Sequence, residues 1–119
     1  MKTRTVYISG DYLPDDEAKI SIYDSAVLLG DTVTESTRTF NYIPFKLEEH
    51  VDRLYKSLKL TRIDPGMNKK EMIEVSKNLL KLNRETYAED EDCWLVHNIS
   101  RGLSITGGNP TLQVSKATI

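Results

Sequence analysis

Three side chains on one helix flank carry the most pointed chemistry in this sequence. His50, Arg53 and Ser57 fall in the run Leu47 to Lys59, Leu-Glu-Glu-His-Val-Asp-Arg-Leu-Tyr-Lys-Ser-Leu-Lys. At about 100° per helical residue they lie within roughly 60° of one another. Arg is permanently charged and presents a planar fork of donors that matches phosphate oxygens. Ser adds a hydroxyl and His a ring nitrogen, so the trio is suited to holding a phosphate. A plainer alternative pairs Arg53 with Glu49 one turn back on a solvated boundary. His50 could serve as an acid or base, but a helix-boundary histidine is more often a hydrogen-bonding residue. Cys93 and His97 share one face of a predicted strand, yet two ligands fall short of the three or four that zinc takes. Cys93 reads instead as a small strand residue beside a surface loop. There is no Gly-x-Gly-x-x-Gly, no P-loop and no Gly-x-Ser-x-Gly.

Composition narrows the function classes. The 119 residues suit one domain or a piece of a larger one. Hydrophobic residues at 39% support one modest core, and a net charge of -2 gives no broad basic field for nucleic acid. The single cysteine, Cys93, excludes an internal disulfide and fits a reducing compartment. The start Met-Lys-Thr-Arg-Thr-Val-Tyr is no secretory signal, and no run approaches a membrane span. The expectation is a cytoplasmic protein with no nucleic-acid or membrane partner.

The elements that must position the helix are mostly short. Val6 to Ile8 and Tyr12-Leu13, punctuated by Gly10-Asp11, read as a hairpin. Lys19 to Tyr23 alternates and runs into the apolar patch Ala26 to Leu29, which Gly30 breaks. Thr32 to Phe40 is rich in β-branched residues and reads as a long strand. Asn41-Tyr42 is its turn, and Ile43-Pro44-Phe45 a short return strand at an edge because of the proline. Leu47, Val51, Leu54, Tyr55 and Leu58 make one apolar helix face. Ile63-Asp64-Pro65-Gly66 ends that helix, and Asn68 with Glu71 opens a second through a capping-box pair. The second helix is expected to bury Met72, Val75, Leu79 and Leu82, with Ile73 and Leu80 on the shoulder. Trp94 to Ile99 is a third strand, stopped by Arg101-Gly102. Gly102 to Pro110 is a polar loop, and Leu112 to Ile119 reads as the opening of a strand left with few partners. The predicted fold class is α+β, an antiparallel sheet with two helices packed on one side.

Residues 24 to 60, Asp-Ser-Ala-Val-Leu-Leu-Gly-Asp-Thr-Val-Thr-Glu-Ser-Thr-Arg and then Phe-Lys-Leu-Glu-Glu-His-Val-Asp-Arg-Leu-Tyr-Lys-Ser-Leu-Lys, resemble the class IV aminotransferases. These are the pyridoxal-phosphate enzymes that include branched-chain and D-amino-acid aminotransferases and aminodeoxychorismate lyase. The similarity continues through Ile-Ser-Arg-Gly at 99–102. It implies a small domain over 1–103, then an interdomain loop and the first strand of a second domain over 104–119. It implies pyridoxal 5'-phosphate as cofactor, an amino acid and a 2-oxo acid as substrates, and a homodimer. Arg53 matches the family arginine on the cofactor phosphate. Leu29, Thr34, Trp94 and Val96 match positions walling the substrate pocket. Glu35 and Arg38 match the strand motif that usually reads Phe-Glu-x-x-Arg, and the loop from Gly102 matches the active-site cover.

Three departures stand out. Branched-chain enzymes usually carry Tyr where this chain has Leu29, Phe at Thr34 and Arg at Val96, which puts the branched-chain substrate in question. Leu29 and Val96 could be core instead of pocket, and Thr34 simply a good strand residue. No lysine matches the setting of the family's Schiff-base lysine, which lies in the second domain. No catalytic residue is therefore assigned, and the isolated chain is expected to be inactive. A stand-alone structural or dimerisation fragment, and a lyase of the same family, are the alternatives.

Overall fold

The computed structural model describes residues 3–104 and 116–119. Strands β1 (Thr5–Ile8) and β2 (Asp11–Pro14) form an antiparallel hairpin, with Val6 opposite Leu13 and Tyr7 opposite Tyr12. Its two-residue turn, Ser9-Gly10, has φ of 46° and 106°. Two positive φ values in succession twist the chain with the strands, and glycine at the second position accepts this readily.

The apolar patch before Gly30 is a short helix, α1 (Ser25–Leu29). Asp24 caps it by accepting the Ala26 N–H at 2.9 Å, and Gly30 closes it at φ 65°. The alternating run Lys19 to Tyr23 forms no strand. Its alternation has no partner strand to bury one face, so the local pattern is not realised.

Three strands make the main sheet in the order β4-β3-β5, all antiparallel: β3 (Thr32–Phe40), β4 (Ile43–Pro44) and β5 (Trp94–Ser100). Pro44 sits on the edge strand, where its missing N–H costs no ladder bond. Val33, Glu35, Thr37 and Thr39 of β3, with Leu95, His97 and Ile99 of β5, face inward and are buried. The alternate residues face outward, except Ser100 at the end of β5, which is buried.

Helix α2 (Leu47–Thr61) lays Leu47, Val51, Leu54 and Leu58 on that inner face. Each such side chain contributes about 1.5–3 kcal/mol on burial. Arg62, at φ 57°, ends the helix in the left-handed region. The Arg101 guanidinium donates to the freed carbonyls of Thr61 (2.8 Å) and Arg62 (3.0 Å) and pairs with Asp31.

Helix α3 (Lys69–Asn83) starts with the expected capping box between Asn68 and Glu71. Its buried face differs from the expected one. Met72, Ser76, Leu80 and Asn83 are buried, whereas Val75 and Leu79 are half-buried and Leu82 is exposed. Two polar residues turn the helix toward the sheet. Ser76 bonds His97, and Asn83 exchanges two 2.8 Å hydrogen bonds with the backbone of Thr5 in β1.

Most of the cover loop, and residues 112–115 of the expected last strand, lie outside the described residues. The rest of that strand is not short of partners. The Ser100 N–H donates to the Thr118 carbonyl at 2.9 Å, and the Ser9 N–H to the Ile119 carbonyl at 3.0 Å. Asp24 ties this corner together: it is fully buried and also accepts the hydroxyls of Ser100 and Thr118. Burial alone would raise its pKa, but the three bonds together hold it below the ordinary value.

Asp24→Ala strips the cap from α1 and strands the Ser100 and Thr118 hydroxyls. The unfolding free energy should fall by about 3 kcal/mol in urea titrations, against about 0.5 or less for the exposed Asp15→Ala.

Candidate functional site: a clamped arginine on the inner face of the sheet

The site grows from parity in β3. Inward positions alternate along the strand, and position 35 carries a carboxylate, only 5% exposed, among apolar and threonine neighbours. A buried charge needs a partner. Helix α2 crosses the strand there and supplies two. Arg53 Nε donates to Glu35 Oε2 at 2.8 Å, and Arg53 Nη2 donates to Oε1. His50 Nδ1, three residues earlier on the same flank, donates to Oε1 at 2.7 Å. The carboxylate thus accepts three charge-assisted bonds on its two oxygens. Those from Arg53, reinforced by His50, outweigh desolvation and hold Glu35 down at about 2.

Arg53 therefore makes no i−4 pair with Glu49; its partner lies on the strand. Its side chain remains 67% exposed. A guanidinium has five N–H groups on two usable edges. Glu35 occupies the edge formed by Nε and Nη2. Among the described residues, the second edge, formed by Nη1 and the other Nη2 hydrogen, is left for another acceptor. Ser57, one turn further on, is half-buried, and among the described residues its hydroxyl joins none of these bonds.

His97 stands opposite Glu35 in the β3–β5 register. Its Nε2 lies 2.8 Å from Ser76 Oγ, which also donates to the Met72 carbonyl at 2.7 Å. Ser76 has one hydroxyl proton, so satisfying both contacts puts a proton on Nε2 and leaves Nδ1 bare. Among the described residues Nδ1 has no hydrogen-bond partner, and burial lowers the ring's pKa. Cys93 is buried just before this strand, where burial pushes its thiol up and its N–H donates to Thr39 Oγ1. Among the described residues no group of three His, Cys, Asp or Glu stands close enough to hold a metal ion.

The residues matched to the pocket wall lie elsewhere. Thr34, Trp94 and Val96 alternate with the buried residues of β3 and β5, so they leave the outer face of the sheet. Trp94 is 71% exposed, Val96 49%, and Leu29, at the end of α1, 64%. None of them is core. Thr34 donates to Asn98 Oδ1 across the pair, and Arg38 lies opposite Trp94 with its guanidinium 4.0 Å from the Phe40 ring centre. Glu35 and Arg38, matched as one motif, point to opposite faces. A cavity of about 370 Å³, bordered by Val6, Ile8, Met72, Val75 and Leu79 and reaching Val96 of β5, is mostly apolar and includes neither Glu35 nor Arg53. No described helix is long and apolar enough to cross a membrane.

The Glu35–Arg53 pair escapes sequence reading because its members are 18 residues apart, on different elements. One signal is there to be read: a glutamate at an inward position of an alternating strand. The roles of Asp24 and Arg101 escape for the same reason, since their partners are remote in sequence.

No family model matches the chain. Individual proteins do. A provisionally named branched-chain-amino-acid aminotransferase of Methanocaldococcus jannaschii is 34% identical over 114 residues, covering 96% of this chain and 38% of that protein. Aminodeoxychorismate lyase of Bacillus subtilis is 34% identical over 102 residues, 86% of this chain and 34% of the relative. Among solved structures, the T.th. branched-chain amino acid aminotransferase with pyridoxamine 5'-phosphate superposes with a TM-score of 0.82 at 27% identity, over 99% of this chain and 38% of that one. The Escherichia coli branched-chain enzyme, at 21% identity and a TM-score of 0.84, shares the fold. This chain spans little more than a third of the length of these proteins. Sequence and fold together place it in the class IV family of branched-chain and D-amino-acid aminotransferases.

Proposed function

We propose that this chain is the small domain of a pyridoxal-phosphate-dependent aminotransferase that moves an amino group between an amino acid and a 2-oxo acid. The observation that carries the reading is Arg53. By resemblance it matches the family's phosphate arginine; Glu35 holds it along one edge, and its side chain is 67% exposed. That donor set fits two oxygens of a phosphate. Bound pyridoxal phosphate would supply the carbonyl that carries the amino group between the two substrates.

The chain's own residues bind and orient. Arg53 would anchor the phosphate, with Ser57 on the same helix flank. On the other face, Thr34, Trp94 and Val96, with Leu29 at the end of α1, would wall the substrate. The exposed apolar side chains of this outer face, Phe40, Trp94 and Val96, suit contact with a second domain or a second copy in a homodimer. The setting proposed is cytoplasmic. Division of the chain near residue 103 belongs to the same reading.

No residue of this chain is assigned the proton transfer. A Schiff-base amine needs a desolvated or charge-tuned site, and every described lysine is exposed. The chain by itself is therefore proposed to be inactive. The equal identity to aminodeoxychorismate lyase supports a second reading, lyase chemistry on the same scaffold. Dependence of turnover on a 2-oxo acid distinguishes the two.

Two outcomes test the reading. In the aminotransferase that carries this domain, Arg53→Ala should weaken pyridoxal phosphate retention roughly ten- to a hundredfold, the loss of one charge-assisted contact. Unchanged retention in a folded variant would return Arg53 to a surface ion pair. The 119-residue chain, mixed with pyridoxal phosphate, reduced with borohydride and mapped by mass spectrometry, should yield no stoichiometric pyridoxyl-lysine. One fully labelled lysine would place the reacting amine in this chain.

A further inference from the structure

Resting on the phosphate reading of Arg53, we propose that Glu35 is a positioning residue. It fixes which edge of the Arg53 guanidinium meets the anion. An exposed arginine ordinarily samples many rotamers, and ordering it on a ligand costs binding free energy. Here the ordering is already done. Glu35 takes Nε and Nη2 together, which defines both the position and the plane of the guanidinium. The remaining edge is then fixed in direction as well, because the five N–H groups lie in one rigid plane.

Glu35 can do this because it is itself held. Its side chain is 5% exposed, its backbone is in the middle of β3, and His50 donates to Oε1. A solvent-exposed carboxylate on the same helix, such as Glu49 one turn before Arg53, has rotamer freedom of its own and would fix nothing. Glu35 also lowers the local positive charge. The clamp thus exchanges some long-range attraction for geometry, and favours a ligand that accepts two parallel N–H bonds, a phosphate ester, over a monovalent spherical anion.

The test is made on the 119-residue chain by nitrogen–proton NMR of the Arg53 side chain. Inorganic phosphate, pyridoxal 5'-phosphate and pyridoxal serve as probes. In the wild type, Arg53 Nε–H should give one resonance protected from solvent exchange. It should shift saturably with both phosphates and not with pyridoxal. Glu35→Gln keeps the side chain's shape but sets an amide N–H₂ against an arginine donor. The resonance should then lose its protection, and affinity for both phosphates should fall about tenfold, the scale of one charge-assisted contact. In an Arg53→Ala background, Glu35→Gln should change phosphate affinity no further. Glu35→Asp, which keeps the charge but withdraws the carboxylate by one methylene, should give an intermediate loss, and serves if the glutamine variant does not fold. Unchanged phosphate affinity in a folded Glu35→Gln or Glu35→Asp protein would overturn the proposal. So would a wild-type Nε–H that exchanges as fast as that of a free arginine. If Arg53→Ala binds phosphate as well as the wild type while the wild-type Nε–H is protected, the clamp stands and the phosphate reading fails.

Discussion

A carboxylate buried in the middle of a β-strand is the constraint around which this domain is arranged. Glu35 cannot remain ionised on the inner face of the sheet without donors, and among the described residues no strand neighbour supplies one. The donors come from α2, which must therefore cross β3 at one place and with one rotation. The apolar face of α2 then falls over Val33, Leu95 and Ile99, and its polar flank over Glu35. Packing and electrostatics select the same helix orientation. Such agreement between levels distinguishes a specified fold from a merely compact one.

The alternation of β3 divides labour between neighbouring residues. Thr34 looks outward to the apolar face bearing Trp94 and Val96. Glu35 looks inward to Arg53 and His50. A one-residue slip of register would put the carboxylate into solvent and the arginine clamp would be lost. The ladder against β5, seven residue pairs from Thr32–Ser100 to Arg38–Trp94, is what prevents that slip. At its far end Asp24, Ser100 and Thr118 lock the start of α1 to the end of β5.

Local chemistry is legible in the sequence, and remote pairing is not. The spacing of Leu47, Val51, Leu54 and Leu58 gives away α2, and the Asn68–Glu71 pair marks the start of α3. Both signals act within one or two helical turns. Turn chemistry is equally local, at Asn41-Tyr42 and at the first hairpin, whose turn the sequence predicts at Gly10-Asp11 and which lies one residue earlier, at Ser9-Gly10. Hydrophobicity misjudges α3 by about one residue of rotation, because its buried face is partly polar: Ser76 and Asn83 are inward only because His97 and Thr5 await them. Helix spacing likewise favours Glu49 as the partner of Arg53, since an acid one turn back is visible along a helix and one on a strand is not. Glu35 becomes the partner once the sheet brings it there.

The most direct measurement of this account is the titration of the Glu35 carboxyl carbon by NMR, together with unfolding free energy against pH. The unfolded reference is an ordinary glutamate near 4.5, and the folded value is about 2. A depressed folded value stabilises the protein above the unfolded pKa, and that stabilisation fades as the pH falls from about 4.5 toward 2. The account predicts a Glu35 midpoint near 2, and a loss of stability across this window that is absent from Glu35→Gln. A midpoint at or above 4.5, or a Glu35→Gln protein with the same pH profile as the wild type, would contradict it.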